Sequence, residues 1–399
     1  MIQKVKLGYI FVFGLLLIFS SNVMANTSSQ SSRMQLQSNE EISVVSKIIS
    51  QNEQQAALEF WTREAISNAE PIGLLVQYGM PDPEPLLEST ESETISPVGS
   101  SPAGRALPDA DLIAQVAYPH DWEGLEVSSG ESNSPFRETN GEQIYVEGSE
   151  PTEVSGTSQV FSSYNINSTA SLQKMYPHNW VGRLSFTTSS GTSYCSATTI
   201  SGNNIVTAAH CLYDTTNDQW FSSWVFTPAY RDGNAPYGSF PASACYILTS
   251  WVNLTGSYSI NSWARFDLGV CSMNSNSASQ TLNQAVGWMG RQWNASYTKH
   301  FYDLGYPFKN YNDDFIPNAG LYLRTCVAES FRQAYNVRGM GCNWGGGISG
   351  GPWMVNYGIN QVRGNVSGVN SGIFIGTRNI YGVRFTDNTI VPLCDAADC

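Results

Sequence analysis

The sequence predicts two physically different parts: an acidic, partly helical region without cysteine, followed by a near-neutral unit with short buried strands that carries every cysteine. Three observations predict this. Residues 26–165 hold 22 acidic and 5 basic side chains, a net of −17, whereas residues 166–399 hold 11 acidic and 13 basic, a net of +2. All eight cysteines lie between Cys195 and Cys399. Asn204–Ala208 and Phe266–Cys271 read as short buried strands, each carrying one chemically distinctive residue at its end or within it. The 399 residues allow two or three domains, and 41% apolar residues are enough to bury a core. A net charge of −13 argues against a nucleic-acid binder, which needs a basic face.

Residues 1–25 come first. Lys4 and Lys6 precede an apolar run from Leu7 to Phe19, and small residues lead to Ala25. That order predicts a secretory signal peptide cleaved after Ala25 and too short to remain as a membrane span. The protein is therefore expected to be secreted and free of the membrane after cleavage. In that setting an even number of cysteines reads as a disulfide framework. Paired C-x-x-C spacings are absent, so neither a metal nor a cofactor is expected.

Residues 26–174 read as an acidic pro-region with linkers. Ser38 and Glu41 have capping-box spacing, and Ile42, Val45, Ile49, Ala57, Phe60, Trp61 and Ile66 follow near-helical spacing up to Pro71. One or two amphipathic helices are predicted between Glu40 and Ala69. Met80–Gly104 and Glu126–Ser171, rich in Pro, Ser and Glu, read as linkers. Such a region ahead of a disulfide-rich unit suggests an intramolecular inhibitor or chaperone, docked in part by its charge and more loosely at high salt. Residues 115–124 and 173–182 share Q-x-x-Y-P-H-[D/N]-W-x-G, which suggests that the first copy occupies the docking groove of the second.

The chemistry lies in the third segment, residues 175–399. Thr207-Ala208-Ala209-His210-Cys211 ends a strand on a histidine, with Cys195 sixteen residues before Cys211. Phe266-Asp267-Leu268-Gly269 embeds a carboxylate in apolar surroundings, where a histidine donor would offset its burial. Gly346-Gly347-Ile348-Ser349-Gly350-Gly351-Pro352 surrounds a serine with glycines, allowing a tight turn that aims amide hydrogens at one point. Gly347-x-Ser349-x-Gly351 also fits the nucleophile elbow of α/β-hydrolases, but that fold needs a histidine after the serine. The four histidines, His120, His178, His210 and His300, all precede it.

With these motifs the sequence resembles the chymotrypsin-like serine peptidases, most closely the bacterial branch of V8-type glutamyl endopeptidases. The similarity runs from about Tyr176 to Asn388 and includes Phe226-Thr227-Pro228-Ala229-Tyr230 after the histidine. It implies two packed six-stranded antiparallel β-barrels, about 175–287 and 288–399, with the active site between them. It also implies an endopeptidase acting on protein or peptide substrates. In it Ser349 would be the nucleophile, His210 the general base and acid, and Asp267 the group orienting His210. The amides of Gly347 and Ser349 would form the oxyanion hole, each donor worth on the order of 3 kcal/mol.

The resemblance has departures. Ile348 stands where trypsin-type zymogens carry an aspartate, so activation by a new N-terminal ion pair is not expected. Asn343, six residues before the serine, gives no support for Lys or Arg preference. Asn370 aligns where glutamyl peptidases carry a histidine, and Ser371 is expected near Asp267. The substrate pocket formed by Asn343, Asn370 and Ser371 is thus expected to be polar and uncharged. Cys195–Cys211 and Cys326–Cys342 are the expected bridges, with Cys245–Cys271 and Cys394–Cys399 following by elimination. The competing expectation is an inactive homologue that uses the barrels for secreted binding or adhesion.

Overall fold

The computed structural model describes residues 42–72, 75–77, 96–106, 160–166, 172–254, 259–359, 361–375 and 377–399. The signal segment, the Ser38–Glu41 capping box and the first Y-P-H-D-W copy lie outside these residues.

Among the described residues the acidic region contributes five strands: β1 (Val44–Ile48), β2 (Glu70–Pro71), β3 (Leu75–Gln77), β4 (Gly99–Ser101) and β5 (Phe161–Asn165). Helices Gln51–Phe60 and Arg63–Asn68 lie between β1 and β2. The first helix starts at Ser50, whose side chain and Glu53 cap each other's backbone amides. The helical reading thus holds for residues 51–68 and fails before them. The Val44-Val45 pair belongs to a strand because β1 extends the edge of a barrel, and β-branched residues suit that pleated surface. The two linker readings also need correction, since β4 and β5 pair with barrel strands inside them.

The first barrel contains β6 (Val181–Thr188), β7 (Gly191–Ile200) and β8 (Asn204–Thr207). After the short hairpin β9 (Tyr213–Asp214) and β10 (Gln219–Trp220), β11 (Ser222–Pro228), β12 (Phe240–Leu248) and β13 (Gly269–Met273) complete it. The order β12-β11-β6-β7-β8-β13 closes through β12–β13 pairing. β14 (Gly290–Trp293) then leads into the second barrel: β15 (His300–Gly305), β16 (Arg324–Ala334), β17 (Val337–Gly341), β18 (Pro352–Val355), β19 (Asn365–Phe374) and β20 (Asn379–Arg384). Its order β18-β15-β16-β17-β20-β19 closes through β18–β19. Two closed six-stranded antiparallel barrels make this a chymotrypsin-like all-β fold.

Each barrel is filled from inside its sheet. Leu184, Phe186, Val206, Phe226 and Val270 are fully buried in the first, as are Phe301, Met340 and Trp353 in the second. Four disulfides add cross-links: Cys195–Cys211, Cys245–Cys271, Cys326–Cys342 and Cys394–Cys399. All four expected pairs are formed. The first ties β7 to the turn bearing His210.

The acidic region is held by backbone pairing and apolar burial. β1 pairs with β12 over five residues, and β5 with β16 over five. Trp61 and Ile66 are buried, and the Trp61 indole donates to the Ser223 carbonyl at 2.6 Å. Among the described residues no ion pair joins this region to the barrels. The second Y-P-H-N-W copy is itself core. His178 bonds the Leu172 carbonyl and the Tyr357 hydroxyl, and the Trp180 indole donates to Val286. Its groove is therefore already filled, so another copy could enter only by displacing it. Among the described residues no helix is long and apolar enough to cross a membrane.

Candidate active site

β8 ends at Thr207, and a single 3₁₀ turn, Ala209–Cys211, presents His210. Opposite it, the 3₁₀ turn Ala264–Phe266 delivers Asp267 just before β13, which pairs with β8. The strand pairing therefore fixes the relative position of the two residues. One Asp267 oxygen accepts the backbone N–H of His210 at 2.8 Å; the other lies 2.7 Å from its Nδ1. Asp267 is fully buried and His210 is 6% exposed. With both oxygens engaged, the carboxylate favours the tautomer protonated at Nδ1, leaving the Nε2 lone pair facing outward.

Ser349 is fully buried in the turn between β17 and β18. Both its Oγ and the His210 Nε2 are buried without a hydrogen-bond partner. Two unsatisfied polar atoms of this kind are costly, and a catalytic role is one reason a native protein keeps them. Gly347 has φ +99°, and the amides of Gly347 and Ser349 donate to no other described group. An arrangement with an unpaired hydroxyl, an oriented imidazole and two unengaged amides can add a nucleophile to a carbonyl and hold the resulting oxyanion.

The serine loop is held from both sides. Ser196 of β7 donates through its amide to the Ser349 carbonyl at 2.8 Å and through its hydroxyl to the Gly347 carbonyl at 3.0 Å. Asn370 of β19 receives the Gly350 amide at 2.8 Å and donates to Gly351 at 3.0 Å. Gly350 has φ +75°, and a Cβ there would lie 2.1 Å from Thr207 Oγ1 and 2.5 Å from the Ser196 carbonyl. We expect Gly350→Ala to cost about 3 kcal/mol or more, from backbone strain and overpacking together. Denaturant titration checks this. A loss below 1 kcal/mol would mean that the loop is not held as described.

The three expected pocket residues separate. Asn370 is buried beneath the serine loop. Its side chain donates to Asp303 Oδ1 at 2.6 Å and to the Ile348 carbonyl at 3.1 Å, and accepts from the Trp353 indole at 2.5 Å. Ser371 is buried and its hydroxyl has no partner, so it makes no bond to Asp267. Asn343 lines a separate cavity of about 530 Å³ with Tyr311, Trp344, Arg324 and Arg378, walled on one side by Phe161 and Tyr164 of the acidic region. Two guanidinium groups make that cavity charged. Burial lowers the Arg324 pKa to about 10, and its charge lies over the Trp344 ring.

Asp303 escapes sequence reasoning because a carboxylate within β15 reads as a surface residue. Here burial pushes its pKa up to about 8, against the opposing bond from Asn370. Its proton is retained in the folded state and lost on unfolding, so its contribution makes stability fall as pH rises from about 4 to about 8. His178, lowered to about 4 by burial, acts in the opposite sense between about 4 and 6.5. Only Asp303, of the two, acts between pH 6.5 and 8. Asp303→Asn should remove a loss of stability over that range. Denaturation midpoints at the two pH values check it; equal slopes in variant and wild type would refute it.

Cys195, His210 and Cys211 cluster closely enough to suggest a metal site, but both sulfurs are joined in one disulfide. That leaves a single imidazole and no ligand set for an ion.

The double barrel with a histidine, a carboxylate and a glycine-flanked serine at its centre is the architecture of a serine-protease-like fold. Solved structures similar to the chain include the protease Anisep from Arthrobacter nicotinovorans, 28% identical, covering 55% of this chain and 95% of that one, TM-score 0.46. A thermostable serine protease, AL20, from an extremophilic microorganism is 24% identical over 55% of this chain and 97% of that one, TM-score 0.44. A Glu endopeptidase is 18% identical over 59% of this chain and 97% of that one, TM-score 0.47. No protein-family model and no curated protein sequence matches the chain.

Proposed function

We propose that the chain is a secreted serine endopeptidase made as a latent precursor. Residues 1–25 are its signal peptide, 26–174 its pro-region, and 175–399 its peptidase domain, divided into barrels near 287. The observation that carries this reading is the two-point clasp of His210 by Asp267, with Nε2 and the Ser349 hydroxyl both unpaired and the amides of Gly347 and Ser349 unengaged.

Ser349 Oγ attacks the scissile carbonyl carbon while His210 Nε2 takes its proton. The carbonyl oxygen becomes an oxyanion held by the amides of Gly347 and Ser349. Collapse of the tetrahedral intermediate breaks the C–N bond, and His210 returns the proton to the leaving amine. Water then enters by the same route: His210 takes its proton, hydroxide adds to the acyl carbon, and Ser349 leaves with the proton back. Asp267 stabilises the imidazolium through the contact at Nδ1.

Maturation is assigned to a cut between Glu150 and Met175, ahead of the peptidase domain. Labelling the processed chain with a serine-directed fluorophosphonate tests the function. A modification confined to Ser349 is the expected result. A processed, folded chain that remains unlabelled would instead be a binding protein built on the peptidase fold.

A further inference from the structure

We propose that residues 70–72, on the first barrel, and 75–77, on the second, hold the precursor latent by occupying the two sides of the catalytic cleft in the direction opposite to a substrate; the proposal rests on the peptidase reading above. β2 pairs in parallel with β7, Glu70 with Ser193 and Pro71 with Tyr194, and the Ile72 amide donates to the Tyr194 carbonyl at 3.1 Å. β3 pairs in parallel with β19, matching Leu75, Val76 and Gln77 to Gly372, Ile373 and Phe374. At these positions β7 and β19 have their other edges paired with β6 and β20. The segment therefore closes one open edge on each barrel.

Those two edges flank the nucleophile. β7 carries Ser196, which bonds the carbonyls of Gly347 and Ser349; β19 carries Asn370, which bonds Gly350 and Gly351. Ile72 and Leu75 are three residues apart, so their Cα atoms are at most about 11 Å from each other. Glu70, Pro71 and Ile72 also share a cleft of about 770 Å³ with His210. Ser349 is fully buried.

Polarity decides whether this segment can be cut. In hydrolysis the amine half of the peptide must leave beside His210, on the first barrel, whereas the acyl half stays on Ser349 beside β19. A productive peptide therefore runs from β19 toward the first barrel. Residues 70–77 run from β7 to β19. Any carbonyl of theirs brought to Ser349 would have its amide nitrogen on the side away from His210, so protonation of the leaving group fails. Strand addition supplies affinity through backbone bonds, whatever the side chains. Upstream, the β1–β12 ladder and the Trp61 indole hold the segment in place. A cut between Glu150 and Met175 alone would leave it bound, so full activity needs its removal or destruction.

The test uses the full-length secreted chain. Ile72→Pro with Leu75→Pro removes the amide bonded to Tyr194 and a second amide on the β19 side. The uncut variant should label with a fluorophosphonate at least tenfold faster than the uncut wild type. Equal rates, in a preparation whose processed wild type does label, would overturn the proposal; failure of the processed wild type to label would overturn the peptidase reading with it. A synthetic peptide spanning residues 66–79, added to processed enzyme, keeps the question open to test should the variant not fold. It should inhibit and be recovered intact. Cleavage within residues 70–77, or no inhibition at millimolar peptide, would refute the reversed polarity.

Discussion

Replacing Ser349 by alanine should lower kcat on the order of 10⁶-fold and abolish fluorophosphonate labelling, while leaving the fold intact. The size of the loss follows from the reaction: without Oγ no acyl-enzyme can form, and His210 has no hydroxyl proton to accept. Structural damage should be absent because Ser349 Oγ has no hydrogen-bond partner to abandon. The loop is held by the carbonyls of Gly347 and Ser349 and by the amide of Gly350, none of which depends on the hydroxyl. Removing a buried, unsatisfied hydroxyl should raise stability by about 1 kcal/mol. Activity and denaturant midpoint measured on one preparation check both halves. Retained hydrolysis would displace Ser349 from its role, and a large stability loss would show that Oγ has a structural partner in solution.

The candidate site was legible because its chemistry is written in short local motifs. Thr207–Cys211 and Gly346–Pro352 each specify a turn through small residues and a neighbouring disulfide or glycine, and a tight turn leaves few other ways to place the side chain. Asp267 was legible for an energetic reason, since a carboxylate among apolar residues requires a donor. The pocket was less so. Asn370 aligned with a specificity position, yet it is consumed by bonds to Asp303, Ile348 and Trp353, a circumstance set by strands 67 and 17 residues away in sequence. Arg324 and Arg378 reach the Asn343 cavity from separate segments, so no local pattern announces them. The acidic region was misread for a related reason. β3 and β4 are three residues each and are fixed by backbone bonds to partners far along the chain, which leaves almost no side-chain signature. In β1, near-helical spacing competed with β-branched composition, and the open edge of β12 decided the outcome.

Asp267→Asn should be nearly as damaging to turnover, about 10⁴-fold in kcat, although it changes one atom and little of the shape. The reason lies in the double engagement of the carboxylate. One oxygen receives the His210 backbone N–H at 2.8 Å and the other faces Nδ1 at 2.7 Å. An asparagine has one oxygen and one NH₂, and the backbone N–H can only donate. Its oxygen must therefore stay on the backbone side, because turning the amide over would leave a buried donor facing another donor, at a cost of about 1–3 kcal/mol. The NH₂ then points at Nδ1 and donates to it, which drives the imidazole proton to Nε2. That nitrogen can no longer accept the proton of Ser349. Asp267→Ala lacks this wrong-way donor and leaves the tautomer free, so it should retain at least as much activity as the asparagine variant despite losing more contacts. Nitrogen chemical shifts of His210 would report the tautomer directly: Nδ1–H in the wild type and Nε2–H in Asp267→Asn. An asparagine variant that keeps more than a tenth of wild-type kcat, or that retains the Nδ1–H tautomer, would break the link between the clasp and catalysis.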